Sequence, residues 1–363
     1  MTTETRAMTE PLLHLQTAAA GRASEGTIAS MTDHLALEAS VGSYPAQAEA
    51  APVLERAYRD LAGLLGVDED GVALVGSATD ALRTLLMTWP LPNGAAVGVV
   101  PAEWGPNVDA FIHHDLRPVL MDVDDRGVLD LDALQRTLRS SPPDVLHLTH
   151  LASHRCVSQP VVEAIALCRS AGVTVWVDAA QSLGHLDTAF GADAAYAPGR
   201  KWLAGPRGLG ILAVRASARD QLTPFRTRTD ADLSTIEALR KGERPVAAQV
   251  GLAHAVREHV QAGPSERRAA LAAAGARLRQ VMRDVPGWAV ADPLDAVGAI
   301  VGLRPTDGQD VEAVQRRLAR DHRILVTACL PWRSAEISEP LLRLAPAAAL
   351  TADEMGCLTS GLG

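Results

Sequence analysis

The sequence predicts an α/β protein with a mainly parallel sheet and a smaller α+β domain at its C-terminal end. Short, β-branched apolar segments alternate with longer segments of helical periodicity through most of the chain. The chain has 363 residues, enough for two domains, which we place at residues 12–258 and 259–363. Residues 1–11 are polar, and we expect them to be disordered or joined to the smaller domain.

Composition restricts the class of protein. A net charge of −9 disfavours a nucleic-acid partner. Apolar residues make up 47% of the chain, yet no uninterrupted apolar run is long enough to span a membrane, and the N-terminus has no signal-peptide core. We therefore expect a cytoplasmic protein. The four cysteines form no C-x-x-C pair, which argues against a metal site and a disulfide framework: Cys156, Cys168, Cys329 and Cys357.

The elements of the larger domain follow from hydrophobic period and terminating glycines. Helices are predicted at 27–40, closed by Gly42, and at 49–65, closed by Gly66. Strands are predicted at 72–75, 96–100, 118–123, 145–148, 174–177, 194–196 and 211–214. Further helices are predicted from the turn after residue 76 through Met87 and at 131–138. This alternation is typical of a parallel sheet with helices on both faces.

The smaller domain has a weaker pattern. A long helix is predicted at 265–283, and a shorter one at 311–320. Strands are predicted at 299–303 and 324–327, and Arg343 closes a further apolar segment. These elements indicate an α+β arrangement.

The stretch from 174 to 214 carries the predicted site. Its first strand ends in Asp178, and ligands of open α/β sheets bind at the carboxyl ends of the strands. Lys201 follows in a glycine-rich setting. Pyridoxal phosphate needs a lysine for its Schiff base and a carboxylate to keep its ring nitrogen protonated. The alternative interpretation is a surface lysine with an N-capping aspartate.

The longer pattern is more specific, and its members are Asp178, Gln181, Lys201, Gly205, Pro206, Gly208 and Gly210. It resembles the class V aminotransferase family, which are fold-type I pyridoxal-phosphate enzymes and include cysteine desulfurases. The resemblance extends from about residue 13 to the end of the chain. It implies pyridoxal 5'-phosphate as cofactor, a seven-stranded-type sheet and a homodimer. It also implies cofactor contacts from Asp178 and Gln181, with Lys201 as the catalytic lysine.

A small-residue turn at 76–81 opens a predicted helix and presents free N–H groups to an anion. An ordinary βα turn is the alternative interpretation. The resemblance assigns Ser77, Ala78 and Thr79 to the cofactor phosphate. Arg200 stands where desulfurases carry a histidine, and its planar fork can also bind phosphate. The hydroxyl that desulfurases place shortly before the lysine is missing.

Four further residues are candidates for contact with cofactor or substrate. Trp104 follows a strand end and is expected to stack on the cofactor ring, with core packing as the alternative. Ser153 and His154 replace an asparagine-containing loop of the desulfurases, and we expect them to contact substrate. Arg343 matches the arginine that holds the substrate α-carboxylate in the family, and a solvated sheet edge is its alternative place.

Within the family the chain is similar to the C–S lyases of the ergothioneine pathway, on the segments TAAAGR, EWGPN, SHR, RKW-x-x-GPRG and PWR. This implies β-elimination from an S-conjugated cysteine or its sulfoxide, with hercynylcysteine sulfoxide as the expected substrate. The products would be a thiol or sulfenic acid, pyruvate and ammonia. Three alternatives are an enzyme of lincosamide-type biosynthesis that cleaves or oxidatively decarboxylates S-glycosylated cysteine, a cysteine desulfurase using Cys329, and a non-catalytic cofactor-binding protein.

Overall fold

A computed structural model of the protein describes residues 12–224, 232–293 and 295–363. The strands are β1 (Leu13–His14), β2 (Val72–Val75), β3 (Ala96–Val99), β4 (Arg117–Leu120), β5 (Val145–Thr149), β6 (Thr174–Asp178), β7 (Ala194–Pro198), β8 (Gly210–Val214), β9 (Trp288–Val290), β10 (Val301–Pro305), β11 (Ile324–Leu325), β12 (Thr327–Cys329) and β13 (Leu341–Leu344). The helices are α1 (Glu25–Val41), α2 (Ser43–Leu65), α3 (Ala78–Thr88), α4 (Gly105–His113), α5 (Leu131–Ser140), α6 (Val161–Ser170), α7 (Ala216–Arg219), α8 (Thr235–Lys241), α9 (Val246–Gln261), α10 (Pro264–Met282), α11 (Val311–His322) and α12 (Ala352–Leu362). The expectation for residues 1–11 lies outside the described residues.

The central sheet has seven strands in the order β2-β8-β7-β6-β5-β3-β4. The five strands from β7 to β4 run parallel, and β8 is antiparallel to both of its neighbours. Strands β5, β7 and β8 are buried along their whole length, which explains why they read as continuous apolar runs. The predicted mainly parallel α/β fold is confirmed.

A second, four-stranded antiparallel sheet in the order β12-β13-β10-β9 forms the C-terminal part. Side chains from α10, α11 and α12 pack into its core, among them Leu278, Leu318 and Leu358. The two-residue strand β1 pairs in parallel with β11, and Leu15 is buried in the same core. The division at residues 258 and 259 stays a prediction.

Terminating glycines end the first two helices as the sequence predicts. Gly42 follows α1 with φ of 91°, and Gly66 follows α2 in the left-handed region with φ of 69°. Helix α2 begins at Ser43, six residues before its predicted start, and its early buried residues are the small Ala46 and Ala50. Small apolar residues give a weak periodic signal, so the first turns are hard to recognise.

Two predicted strands differ in the structure. The segment predicted as one strand at 324–327 is divided, because β11 pairs with β1 while β12 pairs with β13. The strand predicted at 299–303 lies at Val301–Pro305, since the N–H of Ala299 donates to Nε2 of His185 at 2.7 Å instead of to a neighbouring strand. Within the described ranges, no helix is long and apolar enough to cross a membrane.

Candidate active site

A cavity of about 480 Å³ lies at the carboxyl ends of the central parallel strands. Ten of the eleven residues that the sequence predicts for the site line it: Ser77, Ala78, Thr79, Trp104, Ser153, Asp178, Gln181, Arg200, Lys201 and Arg343. The eleventh, His154, lies outside the lining. The cavity also has residues that the sequence analysis did not select, namely Gln16, Ala18, Ala19, Ala20, Asn107, Thr149, Tyr196, Arg207 and Arg333.

The turn before α3 forms one end of the cavity. Ser77 caps this helix, since its Oγ accepts from the N–H of Asp80 at 3.0 Å and donates to Oδ2 of Asp80 at 2.8 Å. The first N–H groups of a helix have no carbonyl partner within it, so those of Ala78 and Thr79 can bind an anion at the positive end of the helix dipole. Gly210 lets β8 approach this turn, because a Cβ there would lie 2.2 Å from the carbonyl carbon of Ser77.

Lys201 sits in a compact loop that the N-terminal segment covers. The N–H of Gly21 donates to the carbonyl of Arg200 at 2.7 Å, and a Cβ on Gly21 would lie 2.4 Å from the carbonyl oxygen of Lys201. Burial lowers the pKa of Lys201 to about 7, and the charges of Arg200, Arg343 and Arg333 act in the same direction, while Asp178 opposes them. A large fraction of the amine is therefore unprotonated at neutral pH.

Residues 18–20 form a wall of the cavity, a role that the resemblance of the TAAAGR segment did not indicate. Arg200 donates from Nη1 to the carbonyl of Ala19, and Gln181 donates from Nε2 to the carbonyl of Ala18 at 2.9 Å. Oε1 of Gln181 accepts from Nε1 of Trp202 at 3.2 Å. The segment TAAAGR thus packs on the loop that carries Lys201. A local sequence pattern could not indicate this contact, because the two segments are far apart in the chain.

Asp178 ends β6 and is buried, with 6% of its surface exposed. Its Oδ1 accepts from the N–H of Ala180 at 2.7 Å, and its Oδ2 accepts from Nδ2 of Asn107 at 3.0 Å. Burial raises the pKa of Asp178, the nearby Glu103 raises it further, and Lys201 and His147 oppose them. This carboxylate has no salt bridge among the described residues, so a cationic ligand atom in the cavity would stabilise its ionised form.

A buried polar chain lies behind Asp178. The same Nδ2 of Asn107 donates to Oε1 of Glu103 at 2.9 Å. Oε2 of Glu103 lies 2.9 Å from Nδ1 of His147, whose Nε2 lies 2.9 Å from the hydroxyl of Tyr196. Burial tends to raise the pKa of Glu103, but His147 and the hydrogen bonds from His147, Thr149 and Asn107 lower it. Burial likewise tends to lower the pKa of His147, but the charge and the hydrogen bond of Glu103, together with the charge of Asp178, raise it.

Trp104, which lines the cavity, forms an aromatic pair with Trp332. The rings of Trp104 and Trp332 meet edge to face with centroids 5.4 Å apart. The guanidinium carbon of Arg333 lies 5.3 Å from the Trp104 ring centroid and 5.0 Å from that of Trp332. The sequence pattern pointed to the PWR segment without indicating a role for Arg333.

Arg343 lies on β13 and is almost fully buried, with 1% of its surface exposed. It donates to the carbonyl of Ser153 and, at 3.3 Å, to Oγ1 of Thr327. Burial lowers its pKa to about 10. Nε of Arg343 and Oγ of Ser153 are buried without a hydrogen-bond partner among the described residues, so both can bind a ligand.

His154 is buried against a carboxylate instead of facing the cavity. Its Nε2 lies 2.7 Å from Oε2 of Glu336, and Arg155 pairs with the other oxygen of Glu336. Burial tends to raise the pKa of Glu336, but the hydrogen bonds from His154 and Arg155 lower it to about 2. The expected substrate contact of His154 therefore has no geometric support, and its visible contact is with the segment that carries Arg333.

Cys329 is fully buried on β12, where it packs with Ile337 and Leu341. Among the described residues no cysteine lines the cavity. In the same part of the chain, no group of three or more His, Cys, Asp or Glu side chains is arranged to hold a metal ion.

The donor set fits pyridoxal phosphate. The cavity offers an amine of lowered pKa for its aldehyde, a buried carboxylate for its ring nitrogen, an aromatic face, and a helix N-terminus with an arginine for its phosphate. The fold and this donor set define a pyridoxal-phosphate-dependent enzyme of fold-type I. The model of the aminotransferase class-V family matches residues 14–335. The chain belongs to that family, and its cofactor is pyridoxal phosphate.

Individual relatives agree with this placement. A protein of Mycobacterium tuberculosis (strain CDC 1551 / Oshkosh), described as a probable hercynylcysteine sulfoxide lyase, is 39% identical over 355 residues, covering 96% of this chain and 89% of that protein. The apo cysteine desulfurase of Thermococcus onnurineus NA1 has a TM-score of 0.83 at 18% identity over 96% of this chain and 93% of that one. The cystine C–S lyase C-DES with cysteine persulfide has a TM-score of 0.85 at 17% identity over 98% of each chain. At these identities the structural likeness concerns the fold.

Proposed function

We propose that the protein is a carbon–sulfur lyase that eliminates the sulfur substituent from an S-conjugated cysteine or its sulfoxide, with hercynylcysteine sulfoxide as substrate. The observation that carries the proposal is the meeting of Lys201, Asp178 and Arg343 in one cavity of the right size for cofactor and substrate. The 39% identity to the mycobacterial relative supports this choice of substrate.

The chain's own residues have separate tasks in this reaction. Arg343 holds the substrate α-carboxylate, for which its unpartnered Nε and the hydroxyl of Ser153 are available. Lys201 removes the α-proton as general base, because its lowered pKa leaves much of the amine unprotonated at neutral pH. The Oδ atoms of Asp178 hold a proton on the ring nitrogen of the cofactor.

When bound, pyridoxal phosphate supplies the electron sink for the negative charge that forms at Cα. Ser77, Ala78, Thr79 and Arg200 hold its phosphate, and Trp104 packs on its ring. Gln181, whose amide is already oriented by Ala18 and Trp202, has a second N–H left for the cofactor.

The atoms balance for a sulfoxide substrate. The Cα–H and Cβ–S bonds break, and the sulfur leaves with its oxygen as a sulfenic acid, taking up the proton. Hydrolysis of the remaining three-carbon enamine consumes one water and gives pyruvate and ammonia. Two equivalents of an added thiol reduce the sulfenic acid to the free thiol; they are oxidised to a disulfide, and water is released.

The test is incubation of the purified holoenzyme with hercynylcysteine sulfoxide under reducing conditions, with products identified by mass spectrometry. We expect pyruvate together with ergothioneine, and no turnover by the Lys201→Ala protein. If hercynylcysteine sulfoxide is untouched while an S-glycosylated cysteine is converted, the proposed substrate is wrong. Pyruvate from the glycosylated compound would then indicate a lyase of antibiotic biosynthesis, and CO₂ with an aldehyde would indicate the oxidative reaction.

The cysteine desulfurase alternative requires a thiol that reaches the substrate sulfur. The fold likeness to desulfurases favours it, whereas the burial of Cys329 on β12 does not. We expect Cys329→Ala to retain lyase activity within about twofold, as for a buried structural cysteine. Loss of sulfur release from free cysteine in that variant, with lyase activity absent in both proteins, would favour the desulfurase.

We also propose a homodimer that acts in the ergothioneine pathway of the cytoplasm. Support for the dimer comes from α1 and the start of α2, where large side chains are exposed, including Ile28, Leu35 and Tyr44. Light scattering during gel filtration should give twice the mass of one chain, and Leu35→Glu should shift the protein toward the monomer. A wild-type monomer at micromolar concentration would contradict the proposal.

A further inference from the structure

The cavity has more cations than the proposed reaction uses. Among the residues that the structure describes, its lining has four arginines and Lys201, against the single carboxylate of Asp178. The cofactor phosphate accounts for Arg200, and the α-carboxylate accounts for Arg343. Arg207 and Arg333 are left. Of these two, Arg333 has an Nε that is buried without a hydrogen-bond partner among the described residues. A buried donor without a partner is costly, so a ligand atom is expected there.

The segment that carries Arg333 is fixed against the turn that carries Trp104. Oγ of Ser334 donates to the carbonyl of Pro101 at 2.8 Å, and the N–H of Glu336 donates to the same carbonyl at 3.1 Å. Gly105 allows the contact, because a Cβ there would lie 2.2 Å from the carbonyl oxygen of Trp332. The guanidinium is thus part of a built site.

The nearest acid of this segment does not neutralise Arg333. Glu336 is engaged by His154 at 2.7 Å and by Arg155. Within the described part of the chain, Arg333 forms no salt bridge. Its positive charge is therefore not balanced by these residues. This charge contributes to lowering the pKa of Lys201 and of Arg343.

Arg333 lies beside one indole that lines the cavity and one that faces solvent. Trp104 lines the cavity with Arg333, whereas Trp332 is 56% exposed. With the α-carboxylate on Arg343, which is buried, we place the substituent on the substrate sulfur toward the solvent-exposed Trp332. Because Trp104 packs on the cofactor ring, an apolar, planar substituent would pack on the ring of Trp332, and a planar anion on that substituent would meet the guanidinium fork bidentately.

We propose that Arg333 and Trp332 form a subsite for the sulfur-borne group, beside the Trp104 ring that packs on the cofactor, and that the substrates are cysteine S-conjugates whose planar substituent carries a second carboxylate. This inference rests on the proposed lyase function and adds its selectivity. Arg333 is a binding residue here, with no part in the bond-breaking steps.

The test uses matched pairs of S-aryl-L-cysteine S-oxides that bear a carboxylate or a carboxamide at the meta or para ring position. Pyruvate formation gives kcat and KM for each. We expect the wild-type enzyme to prefer the better carboxylate isomer over its amide by about tenfold or more in kcat/KM, mainly through KM. In Arg333→Gln this ratio should fall to within about twofold, with kcat for the amide little changed.

Two control variants distinguish the effect of the planar guanidinium of Arg333 from that of positive charge in the cavity. Arg333→Lys retains the charge without the planar fork and should give an intermediate ratio. Arg207→Gln removes another arginine of the lining, one outside the aromatic pair, and should retain the wild-type ratio. Equal loss of the preference in Arg207→Gln and Arg333→Gln would overturn the specific role of Arg333.

The outcomes distinguish the two proposals. Pyruvate from both members of each pair at equal efficiency in the wild type would overturn the subsite and leave the lyase function intact. If no compound yields pyruvate, the lyase function fails for this class, and calorimetric binding of the same pairs to the Lys201→Ala protein still measures the preference. The subsite would be supported if the Lys201→Ala protein binds the carboxylate more tightly than the carboxamide and the Lys201→Ala, Arg333→Gln double variant does not. Equal affinity of the Lys201→Ala protein for the carboxylate and the carboxamide would overturn it.

Discussion

A single amide, that of Asn107, lies between the two buried carboxylates of the site. Its Nδ2 donates one hydrogen to Glu103 at 2.9 Å and the other to Asp178 at 3.0 Å. Glu103 is further paired with His147, so negative charge on Glu103 is balanced from behind. Asn107 thereby lies between Asp178, which we assign to the cofactor, and Glu103, which pairs with His147. Asn107 is a positioning residue, because it orients the carboxylate of Asp178.

Replacing Asn107 by Ala should lower kcat by about 10- to 100-fold, since a hydrogen bond to a charged group contributes about 1.5–3 kcal/mol. The ionised form of Asp178 loses a donor, so the ring nitrogen of the bound cofactor should lose its proton at lower pH. Absorbance of the holoenzyme as a function of pH measures that change. Asp109→Asn, at an exposed position of the same helix, is the control, and a pH profile equal in both variants would contradict the role.

Capture of pyridoxal phosphate by the apo protein should depend on the protonation of Lys201. The pKa is lowered to about 7, and only the unprotonated amine attacks an aldehyde. The rate should therefore rise about tenfold per pH unit below 7 and level off above it. Stopped-flow absorbance between pH 5.5 and 9 checks this, with N-acetyl-lysine amide as the reference. A protein rate that continues to rise to pH 9, as for the free amine, would show that burial does not lower this pKa.

The sequence predicted those site residues that belong to local motifs. Asp178, Lys201 and the turn at Ser77 were found because each lies at a strand end or in a turn with a chemical signature. The chain from Glu103 through His147 to Tyr196 was not found, because its members come from β5, β7 and the loop after β3, and only the sheet brings them together. The sequence indicated this chain only through His147, a titratable residue in the middle of the mainly apolar strand β5.

At the scale of elements, the close approach of β8 to the start of α3 sets the shape of the proposed phosphate site. Gly210→Ala would place a Cβ within 2.2 Å of the Ser77 carbonyl carbon and push the turn away. Losing one charge-assisted hydrogen bond should weaken cofactor affinity by about 10- to 100-fold. Equilibrium dialysis of the holoenzyme measures the dissociation constant.

The matched control is a glycine with open space around it. A Cβ added to Gly356 on α12 would meet no heavy atom within 4 Å, so Gly356→Ala should raise the free energy of unfolding by about 0.5–1 kcal/mol and leave cofactor affinity unchanged. Unchanged affinity in Gly210→Ala would mean that the turn does not hold the phosphate.

Elements were predictable where a segment carries its own period and caps. Val72–Val75 in β2 and the apolar run of β8 are found almost to the residue, and α5 begins where predicted, at Leu131. The division of 324–327 into two strands was not predictable, since the partner of β11 lies more than 300 residues earlier in the chain. Pairing between strands so far apart in the sequence does not change the hydrophobic pattern of residues 324–327, so the pattern cannot reveal it.

At the scale of the whole molecule, Leu15 connects the C-terminal core to the cavity wall that follows it at Gln16–Ala20. Its side chain is fully buried among residues such as Leu278 and Leu344. Leu15→Ala should lower the free energy of unfolding by about 2–5 kcal/mol and also weaken cofactor affinity, because residues 16–20 lose their anchor.

Leu358→Ala, in the same core but on α12, should lower stability comparably and leave cofactor affinity unchanged. Denaturant unfolding of the apo proteins and cofactor titration measure the two effects separately. Equal losses of affinity in both variants would show that the effect is general loosening of the core.

The segment at Leu15–Thr17 pairs with Ala345, more than 300 residues later in the chain, and this separation affects when the cavity can form during translation. The N–H of Ala345 donates to the carbonyl of Leu15 at 2.8 Å, and that of Thr17 donates back to Ala345 at 3.0 Å. At about 5–20 residues per second, a ribosome needs on the order of tens of seconds to travel between these positions. During that time residues 16–20 lack the contact with Ala345 that holds them beside Lys201 and Asp178. Stable cofactor capture is therefore expected only after β13 and Ala345 have been synthesised.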